Sequence, residues 1–121
     1  MSYAVVEDND ITMDTPAETT FAATSAAIEI RGAGEGNIVI NNRIRGRANF
    51  ALSVAAQKGS PLNTTFLMND IQDFSAAEAG LFVGADASNT VYVGQPFTVE
   101  DHGVSTVIVP WTGILNSHRF N

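Results

Sequence analysis

The chain has 121 residues, with 13 acidic against 6 basic side chains, a formal charge of −7 and no cysteine. That balance argues against a general nucleic-acid binder, which needs surplus Lys and Arg to neutralise phosphates. The missing thiols exclude disulfide staples and thiolate chemistry. Length and a hydrophobic content of 45% suit one domain with one core.

In chain order, residues 1–14 read as an N-terminal arm or edge strand, and residues 15–121 as a single β-rich domain. The arm holds one apolar run, Tyr3-Ala4-Val5-Val6, before an acidic stretch carrying Glu7, Asp8, Asp10 and Asp14. Its start lacks the basic and apolar regions of a signal peptide, and no apolar run reaches the roughly 18 residues of a membrane span. The expectation is therefore cytoplasmic synthesis without a membrane partner. Thr15-Pro16-Ala17-Glu18 has the form of a capping box and predicts a short helix or turn that passes into a strand near Thr24 to Ile30.

The Gly32 to Gly36 segment is a turn, Asn37 to Ile40 a strand, and Asn41-Asn42 a two-residue hairpin loop, because Asn tolerates positive φ. The returning strand starts at Arg43, and Gly46 marks a bulge or bend. Beyond it Phe50, Leu52 and Val54 alternate with small residues, as on a strand with one buried face. Thr64 to Met68 predicts another strand, and Ser75 to Gly80 a capped helical turn. Strands follow at Leu81 to Val83, Thr90 to Val93, Phe97 to Glu100 and Val104 to Val109, the last stopped by Pro110. Many short strands and no crossover helix predict a mainly β fold: an antiparallel β-sandwich or small β-barrel, jelly-roll-like, with one or two short helical turns and no internal repeat.

The search for chemistry yields no catalytic residue and no metal or cofactor site. Asp8, Asp10, Thr12 and Asp14 alternate as calcium ligands do, but Met13 stands where an EF-hand needs glycine. Glu100-Asp101-His102 offers a carboxylate beside an imidazole, yet neighbours on an extended chain point to opposite faces. A turn histidine is the simpler reading. No Gly-x-Ser-x-Gly elbow occurs, and Gly32, Gly34 and Gly36 lack the spacing of a phosphate cradle. Asp70, Asp73 and Glu78 fit an ordinary turn with Ile71 and Phe74 packed inward.

What stands out is the sorting of charge. Arg43, Arg45 and Arg47 alternate along one stretch, and no acid occurs from Gly36 to Asn69. On a regular strand those arginines share a face that can meet carboxylates. Such a stripe, together with the acidic residues Glu7, Asp8, Asp10 and Asp14 of another copy, and with Trp111 as an aromatic anchor, forms the candidate interface. The expectation is a non-enzymatic structural protein whose partners are itself, as a homo-oligomer, and a larger protein assembly, for example a bacteriophage virion as a decoration or tail component. The alternatives are a carbohydrate-binding β-sandwich using Trp111 and a small barrel enzyme using His102 with Asp101.

Overall fold

Three short segments share one pattern: an apolar residue, then Asn three positions on, then Ile two further. They are Val6…Asn9…Ile11, Val39…Asn42…Ile44 and Phe66…Asn69…Ile71. In the structure, a computed structural model that describes residues 2–14, 25–55 and 59–111, these segments stack directly above one another. The chain winds as a parallel β-solenoid whose described strands form two sheets, stacked coil upon coil.

Sheet A consists of β1 (Val5–Glu7), β4 (Ile38–Ile40), β6 (Thr65–Leu67), β8 (Val91–Gly94) and β10 (Val107–Pro110), in that spatial order and all parallel. Sheet B contains β2 (Asp10–Asp14) and β3 (Ala26–Arg31), which both pair with β5 (Arg43–Ala55), followed by β7 (Phe74–Val83) and β9 (Val99–Asp101). A third line of single bridges joins Glu35, Leu62, Ser88 and Val104. The corners between these lines are made by residues with positive φ. Tyr3, Gly36, Asn63, Asn89 and Ser105 lead into sheet A, while Asp8, Asn41 and Met68 lead out of it.

The expected antiparallel sandwich or barrel is therefore corrected to sheets built only of parallel strands. Two inferences produced the error. Asn41-Asn42 was expected to reverse the chain, but the positive φ of Asn41 turns it through a corner only, and Asn42 bonds to the coils above and below. Parallel pairing was set aside for want of crossover helices, whereas in a solenoid the remainder of each coil is the crossover. The chain is also repetitive, against the expectation of no repeat. Ser75 to Gly80, expected as a helical turn, lies within β7. The helix expected from Thr15 falls outside the described residues. Gly46, expected as a bulge or bend, is paired in register with Met13 and Phe74, and the shift of register falls between Ala48 and Phe50 instead. Its φ is +102°, and a Cβ there would lie 1.8 Å from the carbonyl oxygen of Met13.

Packing follows the stacking. Val6, Val39, Phe66, Tyr92 and Ile108 form one column in sheet A register. Ile28, Leu52, Leu81 and Val99 form another in sheet B, beside Ile30, Val54 and Val83. Like side chains stacked at the strand spacing of about 4.8 Å fill the interior without gaps. The middle members Val39, Phe66, Leu52, Val54, Leu81 and Val83 are wholly buried. The Tyr92 hydroxyl donates to the Gln95 carbonyl at 2.5 Å, and burial pushes its pKa above the usual tyrosine range.

Candidate functional site

Sheet B presents the charged stretch. Register sets Asp10 opposite Arg43, Thr12 opposite Arg45 and Asp14 opposite Arg47. Arg45 Nη2 lies 2.7 Å from an Asp10 oxygen, and Arg47 Nε lies 2.7 Å from Asp14. The basic stripe and the acidic segment thus meet within one chain, across adjacent parallel strands. Both pairs are solvent-exposed, so each contributes under about 1 kcal/mol. Arg43 stands between Asp10 on one side and Asp70 on the other. Glu7 and Asp8 are exposed and form no ion pair among the described residues.

Farther along the same sheet, Glu29, Ser53, Phe82 and Glu100 fall in one row across the coils. Glu29 pairs with Arg31, and Glu100 Oε2 accepts from His102 Nε2 at 2.9 Å. The His102 ring also lies 5.7 Å from that of Phe82. Asp101 turns away from the imidazole; its Oδ1 accepts from the Gly103 amide and the Thr106 hydroxyl. His102 and Asp101 are therefore not brought together as an acid–base pair. No group of three or more metal-ligating side chains occurs among the described residues. No helix among them is long and apolar enough to cross a membrane.

The sheet ends form a different kind of surface. Sheet A stops at β10, which pairs with β8 on one side and with no strand among the described residues on the other. Val107, Ile108 and Val109 are 50%, 37% and 38% exposed, and Trp111 follows at 44%. At the opposite end β1 is the outer strand, with Val5 53% and Tyr3 71% exposed. An edge of this kind offers unpaired main-chain donors and acceptors beside apolar side chains, which is the template for strand addition.

No protein-family model, curated protein or solved structure matches the chain. The geometry alone carries the reading. Of the candidate residues from the sequence, Arg45, Arg47, Asp10 and Asp14 converge as in-chain pairs, Trp111 directly follows β10 at one end of sheet A, and Glu7 and Asp8 lie at the other end. Sequence reasoning missed that β1 and β10 are the outer strands of sheet A among the described residues, because an edge is defined by the absence of a neighbouring strand. The recurring Asn-x-Ile triplets were the signal that could have revealed the stacking.

Proposed function

We propose that this protein is a non-enzymatic structural module that associates with copies of itself and attaches to a larger assembly through the ends of its solenoid. The observation that carries this reading is the apolar end of sheet A, which has no further strand among the described residues: Ile108 terminates the interior column there with more than a third of its surface exposed. An apolar column end and a strand edge left open in water gain by being covered. The arginine stripe is not part of this interface, since Arg45 and Arg47 already engage Asp10 and Asp14.

Light scattering coupled to size exclusion tests the reading. The expected result is a species of several chains whose mass is insensitive to salt, because the contact is apolar rather than ionic. Ile108→Lys should return it to a folded 12.8 kDa monomer. A wild-type monomer at all concentrations and salts would remove self-association from the proposal.

A further inference from the structure

The third and fourth coils differ in length on their sheet B side. From Asn69 the third coil reaches Leu81 by way of most of β7, whereas the fourth passes from Gln95 to Val99 through Pro96, Phe97 and Thr98 alone. Register between β7 and β9 therefore covers only Leu81 to Val83, with the Gly80 amide donating to the Thr98 carbonyl just before it. Over Phe74 to Ala79, β7 pairs with β5 on one flank and has no strand on the other among the described residues. The shortfall leaves a notch in the side of the solenoid, a cavity of about 370 Å³ lined chiefly by Ile71, Phe74, Ala76, Pro96 and Phe97.

The walls of the notch are fixed in place. Phe97 stacks on Tyr92 with ring centroids 5.0 Å apart, and it lies so close over Gly80 that a Cβ there would be 1.9 Å from its ring. The Gln95 side chain holds the Ile71 amide at 2.8 Å. The lining of the notch carries no charge, and the acidic residues of the same strand stretch flank it in sequence. Asp73 and Glu78 are exposed carboxylates with no ion pair among the described residues. In the neighbouring β5, Arg47, which stands in register with Ser75, and Arg45 are engaged by Asp14 and Asp10.

The geometry points to this notch as a docking groove for an extended basic peptide segment of a partner protein. The segment would add a strand to the edge of β7 over Phe74 to Ala79, where no described strand pairs, place one apolar side chain between Phe74 and Phe97, and set Lys or Arg against Asp73 and Glu78. The three features divide the work of recognition: main-chain pairing gives affinity, the apolar pocket sets register, and the carboxylates select the sign of charge. The site is separate from the ends of sheet A and does not depend on self-association.

Fluorescence anisotropy with a labelled acetyl-Lys-Val-Lys-Val-Lys-Val-amide peptide tests it on the full chain. Binding should saturate, weaken at least tenfold in the double variant Asp73→Lys with Glu78→Lys, and disappear when alternate residues of the peptide are N-methylated, which removes its edge donors without altering the protein. The Glu-Val counterpart peptide should not bind. No saturable binding, or equal binding of the methylated peptide, would overturn the proposal. Self-association that is lost in Ala76→Pro would likewise overturn it and assign the groove to a second copy.

Discussion

Asn42 shows how much of this fold rests on single side chains. Its Oδ1 accepts from both the backbone and the side-chain amide of Asn9, while its Nδ2 donates to the Val6 carbonyl and to Asn69 Oδ1. Asn69 in turn donates to the Val39 carbonyl. The ladder satisfies corner groups that the strands cannot reach, and it ties three coils together at one point. Truncating Asn42 strands several buried donors and acceptors at once, each costing roughly 1–3 kcal/mol. Asn42→Ala should accordingly lose about 3 kcal/mol of unfolding free energy in a urea titration, and a loss below about 1 kcal/mol would show that the ladder is ornamental. The preference of Asn for positive φ was legible at Asn41. That the next residue would bond up and down the stack was not, because side-chain amide partners lie some thirty residues away.

At the level of the element, the strands divide by position in the stack rather than by composition. The run from Val104 to Val109 is the most β-prone in the sequence, yet among the described residues β10 is the outermost strand of sheet A, and all four of its residues are exposed. Composition reports that a segment can extend, not which neighbours it finds. The β5 segment shows the reverse: Ala48 to Val54 is buried without interruption, because both flanks are paired. The two strands should answer the same insult differently. Val54→Asp places an unpaired charge in a sealed interior and should abolish the folded far-UV dichroism signal, whereas Val107→Asp should cost under about 1 kcal/mol and leave the melting curve nearly in place. Equal loss in both variants would mean that β10 is as enclosed as β5.

For the whole molecule, each coil touches chiefly its neighbours, so stability accumulates along one axis. The middle coils are packed on both sides and the ends on one. Amide exchange should be slowest at Val39, Phe66 and Leu52 and fastest in β10, with an opening free energy lower by at least about 2 kcal/mol at the end. Uniform protection would instead indicate one all-or-none unit. This arrangement separates what the sequence determined by itself from what tertiary structure decided. The β-prone runs, the tolerance of Asn41 for positive φ and the opposed charge blocks are local properties, set by backbone sterics and side-chain chemistry, and they are readable residue by residue. Whether strands run parallel, which carboxylate meets which arginine, and where edges are left open depend on stacking residues from different coils. Those contacts form only when the chain closes each turn, and a coil shorter than its neighbour leaves a groove that no single segment encodes.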